Sequence, residues 1–111
     1  MKANLVYITA SNLEEARKIG KELVASRLAA CVNIIGNMNS FYWWEGEIQD
    51  DREVILIAKT KETLVRELVE KVKSMHSYSC PCVVSLPVLG GNEDFLQWIE
   101  SETKQEPSNN S

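Results

Sequence analysis

At 111 residues the chain has room for one hydrophobic core and not for two. Hydrophobic residues at 44% and charged residues at 25% are the proportions of a soluble globular domain. With 16 acidic against 12 basic residues, a net charge of -4 and no local basic patch, nucleic acid is excluded as a natural partner.

The opening segment meets Asn4, Ser11, Glu14 and Glu15 before any apolar run reaches export-signal length, which predicts a cytoplasmic protein. No apolar stretch approaches the roughly 18 residues of a membrane span. The three cysteines are an odd number, so a closed disulfide framework is not expected and the thiols read as reduced.

Residues 4–10, NLVYITA, are β-branched and aromatic-rich, as in a buried strand. Ser11 and Glu14 form a Ser-x-x-Glu capping box for a first helix. Its inner stripe is Leu13, Ala16, Ile19, Leu23, Val24 and Leu28. From Cys31 to Thr60 no helical stripe occurs, and two apolar stretches meet at Glu45-Gly46, where glycine tolerates φ > 0; this is a long hairpin. Thr60 is then placed to cap a second helix carrying Leu64, Leu68, Val72 and Met75 inward, flanked by Val65 and Val69. CVVSLPVL, residues 82–89, is a fourth strand, and Pro87 puts it at a sheet edge because proline cannot donate to a ladder. Asn92 caps a short third helix that packs Phe95, Trp98 and Ile99. The predicted domain is residues 1–103, and 104–111 reads as a polar, disordered tail.

The order β-α-β-β-α-β plus a terminal helix predicts an α+β, ferredoxin-like fold in which two helices cover one face of a four-stranded antiparallel sheet. The hairpin is too long for it. Fourteen residues at ~3.3 Å each run roughly 45 Å, whereas a compact chain of this size has a radius of gyration near ~13 Å. The distal half would stand clear with Phe41, Tyr42, Trp43 and Trp44 exposed, and the simplest cover for such a cluster is another copy of the chain in closed cyclic symmetry.

Several segments together resemble the CutA family of divalent cation tolerance proteins: RLAACVN at 27–33, FYWWEGEI at 41–48, Glu53, Lys59-Thr60, His76 and Tyr78, LPV at 86–88 and FLQWI at 95–99. The resemblance implies a ferredoxin-like homotrimer, related in architecture to the PII signalling proteins and linked to copper and other divalent cations, with no catalytic step attached. The chain departs from the family at one place. The family commonly reads His-Pro-Tyr-Glu-x-Pro-Glu there, and this chain reads His76-Ser77-Tyr78-Ser79-Cys80-Pro81-Cys82. Ser79 and Cys82 stand where the two carboxylates would be, so no role for those carboxylates carries over.

Cys80 and Cys82, if extended, leave one face with Cβ atoms about 6 to 7 Å apart, too far for a relaxed disulfide near ~3.8 Å. Two thiolates could hold a soft cation such as Cu(I), with His76 as a further ligand; the competing reading is small buried filler. The spacing is not a zinc pattern. His76 follows the second helix, where it could instead bond a carbonyl. With Tyr78, Lys59 and Trp44 it could line a cleft between subunits, although Lys59 alone reads better as a solvated strand end. Cys31 reads as core. Glu47, Asp50, Asp51 and Glu53 read as the solvated hairpin edge, because they lack the spacing of a calcium loop.

These observations frame three functions. One is a non-enzymatic homotrimer with no obligatory cofactor and weak or conditional binding of copper or another divalent cation. The second is a PII-like module that takes a small ligand in the inter-subunit cleft. The third, an enzyme, is disfavoured by the lack of a Ser/His/Asp set, a phosphate loop or a C-x-x-C motif.

Overall fold

The computed structural model describes residues 1–105. The elements run β1 (Ala3–Ala10), α1 (Leu13–Ala25), β2 (Cys31–Trp44), β3 (Glu47–Lys61), a 3-10 turn at Glu62–Leu64, α2 (Val65–Met75), β4 (Val83–Pro87) and α3 (Glu93–Glu102). The sheet order is β2-β3-β1-β4 with every pairing antiparallel, which is the predicted α+β arrangement. β4 lies at an edge, where Pro87 is tolerated.

Strand alternation sorts the sheet into two faces. Val6, Ile8 and Ala10 of β1 and Val54, Leu56 and Ala58 of β3 are buried against Ala16, Ile19 and Leu23 of α1 and Leu68 and Val72 of α2. Burial of each large side chain contributes about 1.5–3 kcal/mol. Gly20 lets α1 lie close on β2, since a Cβ there would come within 3.2 Å of Val32 Cγ1. The opposite face, with Leu5 and Tyr7, Ile55 and Ile57, Val84 and Leu86, carries no helical layer along most of its length. Only α3 leans on it, bringing the Phe95 ring 5.5 Å from Lys59 Nζ.

Two caps differ from their sequence prediction. The first helix is capped by Asn12, whose side-chain oxygen accepts from Glu15 N–H at 2.8 Å. The N-cap is therefore Asn12, one residue later than Ser11, and the reciprocal bond from Glu15 goes to Ser11 and not to the N-cap itself. This leaves Glu15 Oε1 to accept from Ser11 N–H and Oγ at 3.0 and 2.9 Å. Leu13 and Val24, expected on the inner stripe, are exposed. Thr60 caps nothing. It remains in β3, fully buried, and its hydroxyl donates to Leu28 O at 2.7 Å. The third cap is as predicted: Asn92 accepts from Asp94 N–H.

Helix α1 ends on Arg27 in the left-handed region, φ 64°. Arg27 N–H donates to Val24 O and Leu28 N–H to Leu23 O, a Schellman closure without its usual glycine. The carbonyl of Arg27 accepts from Lys104 N–H at 2.9 Å, and Lys104 Nζ reaches Glu67 Oε2 at 2.6 Å. Lys104 is thus held against the end of α1 and against α2, and residues 106–111 of the predicted tail lie outside the described residues.

The hairpin is the outlier in proportion. β1 reaches only to the pair Ala10↔Val54, so the pairs from Met38↔Glu53 to Trp44↔Glu47 form a free two-stranded arm about 20 Å long. It ends in a two-residue turn with Glu45 at φ 52° and Gly46 at φ 81°. The radius of gyration, 14.7 Å, exceeds the ~13 Å of a compact chain of this length. Among the described residues no helix is long and apolar enough to cross a membrane.

Candidate functional site

A β-bulge at the root of the arm positions the site. The register slips between Ile35 and Met38, so that Gly36 and Asn37 together oppose Val54, with Asn37 in the left-handed region at φ 59°. Beyond the slip, Met38, Ser40, Tyr42 and Trp44 share a face, and Met38 lies directly opposite Glu53. A cavity of about 600 Å³ opens between the arm, β1 and the segment leading into β4. From the sheet it takes Tyr7, Thr9 and Glu53; from the arm Met38, Ser40, Phe41, Tyr42 and Trp44; from the loop Tyr78, Ser79, Cys80 and Cys82.

Glu53 is only 8% exposed, and its Oε2 accepts from Tyr78 Oη at 2.9 Å. It was expected on the solvated hairpin edge and instead sits at the cavity floor, because the bulge shortens β3 relative to β2 and leaves Glu53 where the arm meets the sheet. Burial, and then the bond to the Glu53 carboxylate, push the Tyr78 phenol well above its ordinary range. Tyr42 donates to Asp51, and that bond raises its pKa as well. Tyr7 Oη donates weakly to Met38 Sδ at 3.5 Å.

The loop is held from behind by a buried imidazole and a partly buried carboxylate. His76 Nε2 lies 2.7 Å from Thr9 O and its Nδ1 3.1 Å from Tyr78 N. The protonation that satisfies both contacts puts the proton on Nε2, with Nδ1 accepting from Tyr78 N–H. Glu15 Oε2 accepts from Ser77 N–H at 2.7 Å. Partial burial opposes ionisation of Glu15, yet the bonds from Ser11 and Ser77 outweigh it and lower its pKa to about 2. One carboxylate therefore ties the start of α1 to the loop that carries Tyr78.

The predicted site residues divide. Trp44 and Tyr78 do line one cavity. His76 lies behind it, its ring tilted by 44° against Tyr78 with centroids 4.7 Å apart. Lys59 is remote, at the other end of β3, where it contacts Cys31 Sγ at 3.6 Å and the Phe95 ring; the four-residue cleft is not assembled within one chain. Cys80 and Cys82 are free and exposed, neither buried filler nor strand residues, since β4 begins at Val83. Both border the cavity, and burial followed by the Glu53 charge raises the Cys82 thiol pKa. His76 does not join them, because both of its ring nitrogens are already engaged. Among the described residues no group of three or more His, Cys, Asp or Glu is gathered to hold a metal. The three-ligand set His76, Cys80 and Cys82 is thus not formed in one chain, and only the two thiols remain available as donors.

The aromatics of the arm are bare in the isolated chain: Phe41 is 70% and Trp43 71% exposed, with Tyr42, Trp44 and Ile48 also open. Phe95 and Trp98, expected to be packed, are each about two-fifths exposed, because α3 rests on the uncovered sheet face.

The profile described as CutA1 divalent ion tolerance protein matches residues 4–102. The chain belongs to the CutA family. It is 46% identical over 97 residues to the divalent-cation tolerance protein CutA of Archaeoglobus fulgidus, covering 87% of this chain and 94% of that one. To the chloroplastic protein CutA 1 of rice it is 43% identical over 101 residues, 91% of this chain, and spans 57% of that longer relative. The crystal structure of CutA1 from rice superposes with a TM-score of 0.93 at 40% identity, covering 96% of this chain and 97% of that one. The CutA fold thus accounts for the four-stranded sheet and its long arm, whereas Cys80 and Cys82 are read from this chain's own residues.

Tyr7, Thr9, Met38 and Glu53 entered the site unannounced. Their signal was period-two placement on β1, β2 and β3, and the one-residue slip at Gly36-Asn37 that aligns them is marked in the sequence only by a glycine inside a strand.

Proposed function

We propose that the protein is a non-enzymatic homotrimer serving divalent-cation tolerance, with weak or conditional binding of copper or a similar soft cation. The observation that carries the assembly is the arm: a two-stranded hairpin is marginal by itself in water, and this one exposes Phe41, Trp43 and Ile48 beside an uncovered apolar sheet face. Three copies in closed symmetry cover both surfaces, the arrangement that the resemblance implies. A variant lacking Trp98 isolates the arm's fluorescence. Blue-shifted native emission that turns red on dilution is expected, and water-like emission at every concentration contradicts the assembly.

For the metal, Cys80 and Cys82 are two exposed thiols bordering one cavity, a donor pair that suits Cu(I), which accepts few soft ligands, better than Zn(II), which prefers four. The free cysteines also suit a reducing compartment such as the cytoplasm. Competition against a Cu(I) chelator should show a loss of affinity in Cys82→Ser. Equal affinity in the two proteins removes the cysteines from the account.

The second reading, a PII-like module with a ligand in the cleft, is favoured by the cavity of about 600 Å³, a size usual for small-molecule sites.

A further inference from the structure

We propose that the cavity under the arm binds a small organic cation, a substituted ammonium ion with an apolar body, between its aromatic walls and the Glu53 carboxylate. The inference goes with the cleft reading and is independent of copper, because it uses the carboxylate at the cavity floor and not the thiols at its border.

The walls are Tyr7, Tyr42, Trp44 and Tyr78, whose ring faces carry negative potential and attract cations. At the floor Glu53 is more than nine-tenths buried and anchored through one oxygen by Tyr78, so its charge is fixed in place before any ligand arrives. Asp51, bonded to Tyr42, adds negative charge from the arm. Among the described residues of one chain no Lys, Arg or His borders the cavity. An anion such as a nucleotide phosphate would meet a carboxylate with no cation to balance it. A bare hard divalent ion fares little better. It needs about six oxygen donors, and among the described residues no group of three carboxylate, imidazole or thiol ligands is gathered. A weakly hydrated cation with methyl or methylene surface fits the remaining combination: room for a ligand of its size, aromatic side chains on several sides and one buried countercharge.

The test uses the full-length assembled protein, with choline as the probe, its neutral isostere 3,3-dimethylbutan-1-ol and adenosine monophosphate as comparators, read by calorimetry. Choline is expected to bind at millimolar concentration or better, with the isostere weaker by about tenfold, the scale of a desolvated cation–π and charge contact. Glu53→Gln, which keeps an acceptor for Tyr78, is expected to lose choline by a similar factor while retaining native mass and circular dichroism. Equal affinity for the neutral isostere, preference for the nucleotide, or unchanged affinity in folded Glu53→Gln would overturn the proposal. So would absence of choline binding at tens of millimolar, the result if a neighbouring copy fills the cavity. Should Glu53→Gln not fold, the ligand comparison on the native protein decides alone. Copper affinity measured on Cys82→Ser is read separately, so either result can fail without the other.

Discussion

Replacing Glu15 by Gln should destabilise the protein by an amount that depends on pH in a defined direction. The carboxylate accepts from Ser11 N–H, Ser11 Oγ and Ser77 N–H, and its pKa falls from 4.5 to about 2 on folding. A depression of that size corresponds to at most about 3 kcal/mol at neutral pH, and solvent screening of a partly exposed group brings the expected value nearer 2. Because the folded pKa is the lower one, the contribution is fully present above the unfolded pKa. It fades as pH falls through the interval between the two values, and it is gone below about 2. Urea unfolding of wild type and Glu15→Gln at fixed protein concentration, at pH 7, 4 and 2.5, measures it. Other carboxylates titrate equally in both proteins, so the difference between them isolates Glu15. The gap should be widest at pH 7 and should shrink steadily toward pH 2.5. A gap that stayed constant across this range would refute the idea that charge-assisted bonds at Glu15 hold the loop.

Trp44→Ala should lower the stability of the assembly more than Trp98→Ala, although both are truncations of a kind that removes about 3–5 kcal/mol in a full core; unfolding midpoints at several protein concentrations separate them, and equal concentration dependence counts against the arm. Thr60→Val should destabilise by about 1–3 kcal/mol, because the Leu28 carbonyl loses its buried donor, while Thr60→Ser should stay close to wild type in the same urea assay. In an ultraviolet titration Tyr78 should ionise only far above the usual tyrosine range, and Tyr78→Phe should delete that late step. Since its folded pKa is the raised one, its contribution is present below the unfolded value near ~10 and is lost as pH rises beyond it. A single tyrosine step at the ordinary position would contradict the Tyr78–Glu53 bond.

The fold was legible because its determinants are local. The stripe through Ala16, Ile19 and Leu23, the second one through Leu64, Leu68 and Val72, and the glycine at 46 each declare an element from within a few residues. Ser11 and Thr60 were misplaced as caps for the opposite reason. Neighbouring polar residues compete for one capping position, and the choice is made by tertiary partners, Ser77 for Glu15 and the Leu28 carbonyl for Thr60. The site was less legible. Trp44 and Tyr78 line one cavity within the chain, whereas Glu53, expected at a solvated edge, is buried at its floor and Lys59 lies beside α3; the distance of each from the bulge decides which it faces. For His76 the sequence offered a ligand or a carbonyl-bonding imidazole, and the ring bonds the Thr9 carbonyl.

Assembly through the arm is the claim on which the rest depends, and light scattering coupled to size exclusion tests it directly. With 12.5 kDa per chain, the account predicts a single species of three chain masses at micromolar concentration, falling in mass when Trp43 and Trp44 are both replaced by serine. A wild-type protein that elutes at one chain mass at that concentration would contradict it.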